Sequence, residues 1–137
     1  MAELDITSLT NAVNALSDSI MAYEEYSSQN KVLKHSLRSG VIQNFEVAYE
    51  LSWKFMKRWL EINIGPDIVA GVTRKEFYRI AEENLLISDV NMWWIFHEAR
   101  NNTSHIYNED VADETLNTAF DFLTFAEDFM DVLKEKI

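Results

Sequence analysis

The sequence has no cysteine, so it forms no disulfide and offers neither a thiolate nucleophile nor a sulfur ligand for a metal. One proline and three glycines serve all 137 residues. Breakers this scarce favour long helices over a sheet with many turns. The three histidines stand apart, which argues against a zinc site with paired histidines. His97-Glu98-Ala99-Arg100-Asn101 starts like a zinc-protease helix, but Asn101 stands where the second histidine is needed. Glu46 and Glu50 share a helix face as in carboxylate-bridged bundles, yet no Glu-x-x-His partner occurs. There is no Gly-rich phosphate loop and no nucleophile elbow. No metal and no cofactor is expected. Apolar runs reach only a few residues, so no membrane span is expected. Met1-Ala2-Glu3-Leu4-Asp5 lacks the basic and apolar blocks of a signal peptide, and a cytoplasmic location is expected.

Apolar residues make up 47% and aromatics 12%, enough to fill the core of one domain over residues 1–137. A net charge of −11 argues against a general affinity for nucleic acid or anionic membranes. The charge is uneven. Residues 31–79 hold nine Lys/Arg against five Asp/Glu, a local +4, and residues 108–137 hold two against nine, a local −7. The acidic end reads either as a solvated helix face or as a surface for a basic protein partner.

Apolar spacing predicts five helices. Leu9, Val13, Leu16, Ile20 and Tyr23 alternate at four and three, one face of a helix over about 5–26. Polar residues 27–31 form a loop. A helix over about 32–62 carries two stripes: Val41, Phe45, Ala48, Ser52, Phe55 and Trp59, then Ile42, Tyr49, Trp53, Met56 and Leu60. Gly65-Pro66 stops it. Thr73 and Glu76 read as a capping box opening a short helix over about 74–86. Ser88 reads as the cap of the next, with Ile87 and Met92 as a hydrophobic staple. That helix carries Trp93, Trp94 and Phe96 and fades near 104; residues 105–109 connect it to the last, from about 110 to the end. Ala112, Leu116, Ala119, Leu123, Ala126, Met130, Leu133 and Ile137 form its main stripe, and Phe122, Phe125, Phe129 and Val132 a second. The fold class is all-α, an up-down four-helix bundle with one additional short helix. The second stripe looks surplus to a monomer, which predicts a homodimer.

One segment is unusual. Arg100-Asn101-Asn102-Thr103-Ser104-His105 is a run of six polar residues after an apolar helix face, followed by Ile106 and Tyr107. On a continuous helix Arg100 and His105 stand about 140° apart. They converge if the helix loosens near Ser104 or if two chains meet there. The plain alternative is a helix C-terminus, with Asn and Ser as caps and the cations favourable against the dipole.

Arg, four residues, His, one residue, Tyr resembles the motif of HEPN-superfamily proteins that work beside minimal nucleotidyltransferases, the group described as nucleotidyltransferase substrate-binding proteins. Asn101 directly after Arg100 also fits. Phe45-Glu46-Val47-Ala48-Tyr49-Glu50-Leu51-Ser52-Trp53-Lys54 resembles that family's second-helix signature, and Thr73-Arg74-Lys75-Glu76, Trp94, Asn108 and Glu109 fall where it has similar residues. The resemblance covers nearly the whole chain. It implies a dimer with two motif copies in one cleft and a small nucleotidyltransferase as partner. With the motif intact, it implies a metal-independent endoribonuclease toxin. His105 would then be general base or acid at a ribose 2′-hydroxyl, Arg100 would stabilise charge on the phosphoryl group, and Asn101 would hold the phosphate or the histidine. The partner would silence the toxin by transferring AMP to Tyr107. Two other readings stay open: a non-catalytic subunit that presents nucleotide or substrate to the nucleotidyltransferase, and a plain dimeric scaffold.

Overall fold

The computed structural model describes residues 4–137; the start of the amino-terminal run read for targeting lies outside them. Five α-helices follow in order: α1 Thr7–Tyr26, α2 Lys31–Asn63, α3 Arg74–Glu83, α4 Val90–Asn102 and α5 Glu109–Lys136, with a 3-10 turn at Thr103–His105. There is no strand among the described residues. No helix among them is long and apolar enough to cross a membrane. The result is a bundle of four helices with α3 as the short extra one. α1 packs on α2, both pack on α5, and α4 closes the bundle against α5 while carrying α3 on its other side.

The caps show why the helices start where they do. Asn30 accepts from the Leu33 N–H at 2.8 Å and opens α2. Asn108 accepts from Asp110 and Val111 N–H groups at 2.9 and 3.3 Å and opens α5. Glu109 and Asp110 then lie in the first turn of α5 and Lys134 and Lys136 in its last, which favours the helix dipole. Thr73 caps α3 by accepting from the Glu76 N–H at 3.1 Å. The Glu76 carboxylate does not reach back to complete the box; it accepts from Arg79 at 3.3 Å.

Three sequence expectations need correction. The cap of α4 is Asp89, which accepts from the Met92 N–H at 3.0 Å, not Ser88, and with this shift the Ile87–Met92 staple is out of register. α3 ends at Glu83 rather than near 86. Leu85 turns left-handed at φ 62°, so that Leu86 N–H reaches Ala81 C=O at 3.0 Å and Leu85 N–H reaches Glu82 C=O at 2.9 Å. This is a Schellman ending made by a leucine in place of glycine. The second stripe of α5 is surplus only in part within one chain, where Phe125 and Val132 stay half-buried. Phe122 and Phe129 are fully buried, and Trp93 of α4 lies over both at centroid distances of 5.6 and 6.1 Å.

Candidate active site at the α4–α5 corner

α4 ends where its hydrogen-bonding side chains begin. The Thr103 hydroxyl donates to Arg100 C=O at 2.7 Å and the Ser104 hydroxyl to Asn101 C=O at 3.3 Å. These bonds satisfy carbonyls that a helix end leaves free. The chain tightens into the 3-10 turn, then Asn108 N–H bonds to His105 C=O at 3.0 Å and α5 begins. The α-helix therefore gives way at Ser104, one of the two conditions under which Arg100 and His105 could converge.

The motif residues fall on the two sides of this turn. Arg100 and Asn101 lie on the last turn of α4, with Arg100 half-buried and Asn101 exposed. His105 and Tyr107 lie past it. Both are exposed, Tyr107 at 83%, and their rings sit edge to face 6.2 Å apart. Among the described residues no hydrogen bond joins Arg100 to His105. Arg100 instead approaches α2: its Nε, itself buried, lies 3.2 Å from Glu50 Oε1 without an aligned hydrogen bond. The other Glu50 oxygen accepts from Trp53 Nε1 at 3.1 Å.

Behind Arg100 and Asn101 lies a polar network that spacing alone did not disclose. Arg74 of α3 donates through Nη1 to the Tyr49 hydroxyl at 2.9 Å and lies 3.3 Å from His97 Nδ1. Tyr49 also meets His97 Nδ1 at 3.1 Å and hydrogen-bonds the Tyr78 hydroxyl. The Asn101 amide nitrogen lies 3.3 Å from the other ring nitrogen, Nε2. The Arg74 guanidinium covers the face of Trp53 at 3.9 Å, and Lys75 lies 5.0 Å from the centre of Trp94. Burial raises the Tyr49 and Tyr78 hydroxyls above their usual range, so both stay protonated. Burial, then the Arg74 charge, holds the His97 imidazole below the usual histidine value, with Glu50 and Glu98 opposing. His97 is thus neutral at pH 7.

A second clamp lies at the start of α5. Arg38 of α2, its side chain only 8% exposed, donates to Glu109 at 2.9 and 3.2 Å and to Asp113 at 2.9 Å. His35 Nε2 stands 3.7 Å from the same Glu109 carboxylate. Hydrogen bonding from Arg38 holds the Glu109 carboxyl below its ordinary value. The clamp fixes the helix that begins two residues after Tyr107. The signal for it was present: position 38 extends the Val41–Phe45–Ala48 stripe, so a cation there had to be buried and paired. No three His, Asp or Glu side chains converge as a metal site among the described residues.

The fold places the chain among all-helical bundle proteins, with the Arg100–Tyr107 motif at a helix end. The family model described as nucleotidyltransferase substrate binding protein like matches residues 4–135. The chain belongs to that family. A Haemophilus influenzae protein named probable ribonuclease HepT is 29% identical over 138 residues, spanning 98% of this chain and 94% of that protein. A solved structure from the same organism, described as revealing the fold of a substrate-binding domain of a nucleotidyltransferase, superposes with a TM-score of 0.89 at 28% identity over 95% of this chain and 99% of that one. The family and the fold agree with the resemblance carried by the second-helix signature and the Arg100–Tyr107 motif.

Proposed function

We propose that this chain is the helical partner of a separate small nucleotidyltransferase and acts, as a homodimer with two motif copies in one cleft, as a metal-independent endoribonuclease toxin. The observation that carries the reading is the helix-end turn. It leaves the His105 imidazole and the Tyr107 phenol exposed beside the Arg100 and Asn101 donors. His105 takes the proton of a ribose 2′-hydroxyl as that oxygen attacks the adjacent phosphorus. The P–O5′ bond breaks to leave a 2′,3′-cyclic phosphate, a protonated His105 imidazole of one of the two motif copies gives the departing 5′-oxygen its proton, and Arg100 stabilises the charge that grows on the phosphoryl oxygens. The likeness to a protein named as a ribonuclease supports the activity. The exposure of Tyr107 supports its role as the residue that receives AMP from the partner, since a second active site must reach the phenol oxygen.

A second reading is a non-catalytic subunit that presents nucleotide or substrate to the nucleotidyltransferase. The net charge of −11 favours it, because an acidic chain repels RNA except at a local basic patch. Cleavage of single-stranded RNA in excess chelator separates the two. Under the ribonuclease reading the wild type cuts, and His105→Ala and Arg100→Ala lose about 10²–10⁴ in rate. Their melting temperatures move only a few degrees, since helix-end cations contribute about 0.3–1 kcal/mol. Intact wild-type chain that cuts no RNA gives the lead to the second reading. Incubation with the nucleotidyltransferase and ATP adds AMP to the wild type and not to Tyr107→Phe; equal modification of both excludes the site.

A further inference from the structure

The network behind the motif has a chemical polarity. Arg74 is only a donor, so a ring nitrogen 3.3 Å from its Nη1 has to accept. His97 Nδ1 therefore carries no proton, and in the neutral ring Nε2 does. The structure sets the Asn101 amide nitrogen 3.3 Å from Nε2; a half-turn exchanges the amide's nitrogen and oxygen, and a protonated Nε2 calls for the oxygen, so the amide turns over and its NH2 faces outward. On the neighbouring side chain the same logic operates through charge. Glu50 sits at the Nε of Arg100, held in turn by Trp53, while among the described residues no hydrogen bond engages either Nη. The fork edge of the guanidinium is left for a ligand.

Resting on the ribonuclease reading above, we propose that Glu50 and His97 are positioning residues for the motif. Glu50 fixes Arg100 with its Nη edge outward, and His97 fixes Asn101 with its amide NH2 outward, so that both neighbours present donors to a phosphate of the bound strand. Without His97 the amide rotates freely and offers its oxygen half the time, which repels a phosphate. Without Glu50 the Arg100 side chain loses the partner that selects its rotamer. Neither residue touches substrate. Each acts through the side chain next to it.

His97 variants separate this role from packing and from direct proton transfer. His97→Gln keeps an acceptor for Arg74 and a donor for Asn101 but cannot titrate. His97→Phe keeps the ring volume and loses both polar ends. The expected result is that His97→Phe and Glu50→Ala each lower RNA cleavage about a hundredfold, the cost of a small misplacement of a reacting group. The loss falls on kcat/KM, with a melting temperature that does not track it, and His97→Gln recovers most of the rate. A His97→Gln protein as inactive as His97→Phe overturns positioning. So does a His97→Phe protein that cuts as well as the wild type.

A readout without cleavage covers the case in which the ribonuclease reading fails. The side-chain NH2 of Asn101 and the Nε–H of Arg100 are followed by nitrogen NMR as inorganic phosphate is added. Both respond in the wild type. The Asn101 response survives in His97→Gln and vanishes in His97→Phe, and the Arg100 response vanishes in Glu50→Ala. If the wild type cuts no RNA yet shows this pattern, the ribonuclease reading falls and the positioning role stands. Signals indifferent to these substitutions overturn the positioning role itself.

Discussion

Phe122 decides whether the second stripe of α5 serves the core or an interface. The ring is fully buried in a single chain. It packs against Phe96 at 5.0 Å, Phe45 at 5.2 Å, Trp93 at 5.6 Å and Tyr49 at 6.2 Å, so three helices meet on one side chain. Phe122→Ala removes the ring's transfer free energy and leaves a cavity walled by rigid aromatics that collapse poorly. Such changes cost about 3–5 kcal/mol. Each aromatic pair contributes about 0.5–1.5 kcal/mol beyond buried area, which points to the upper half of that range. Against a total of about 5–15 kcal/mol the loss is large. At about 4 °C per kcal/mol for a domain of this size, the melting temperature falls by about 16–20 °C. Circular dichroism melts measure it, with light scattering on the same samples. A variant that melts within a few degrees of the wild type while its mass halves would place Phe122 in a subunit contact and refute the reasoning.

Three further outcomes are expected. Leu85→Gly relieves a left-handed backbone at a side chain that is 73% exposed, and net of glycine's extra unfolded freedom it stabilises by about 0.5–1 kcal/mol in urea titration; a destabilised variant contradicts the strain. Asp89→Ala costs about 0.5–2 kcal/mol while Ser88→Ala stays within about 0.5 kcal/mol, and the reverse order would restore Ser88 as the cap. Because burial and Arg74 lower the His97 value below that of the unfolded chain, the unfolded state binds the extra proton first. Stability is therefore full above about pH 6.5 and falls as the pH drops below it. The groups facing the ring are Arg74, Tyr49, Glu50, Glu98 and Arg100. Urea midpoints between pH 7.5 and 5.0 should decline less in His97→Gln than in the wild type, and parallel declines would assign the effect elsewhere.

Much of the fold was legible because helix faces repeat. The stripes from Leu9 to Tyr23 and from Ala112 to Leu133 are the faces that the core takes up. What failed were stops and neighbours. The end of α3 carries no glycine, so nothing in the letters marks Leu85 as the residue that turns left-handed; the turn is made by the pull of Leu86 into the core. Ser88 and Asp89 are both good caps, and only the placement of Trp93 and Phe96 toward α5 selects the second. The surplus face on α5 is taken up in part by a neighbour that periodicity does not name. Trp93 and Phe96 of α4 cover Phe122 and Phe129, while Phe125 and Val132 of the same stripe stay half-buried.

The candidate site was legible as a motif but not as a mechanism, and the reason is specific. Arg38, Tyr49 and His97 all occupy positions on or beside apolar stripes, where each can be counted as one more buried side chain. A buried polar group left without a partner costs about 1–3 kcal/mol, so Arg38 and Tyr49 each oblige a partner elsewhere in the chain, and half-buried His97 joins the same network. Periodicity finds the obligation and not the partner. Arg38 is met by Glu109 and Asp113, more than seventy positions away, and His97 by Arg74 on a helix that the sequence joins to α2 only through a loop. The partners sort the molecule's function. Arg38 fixes the base of the turn that carries Tyr107, while Arg74, through His97, decides which end of the Asn101 amide faces water. A polar residue on an apolar helix stripe therefore marks where one element is tied to another, and here both ties end beside the same exposed turn.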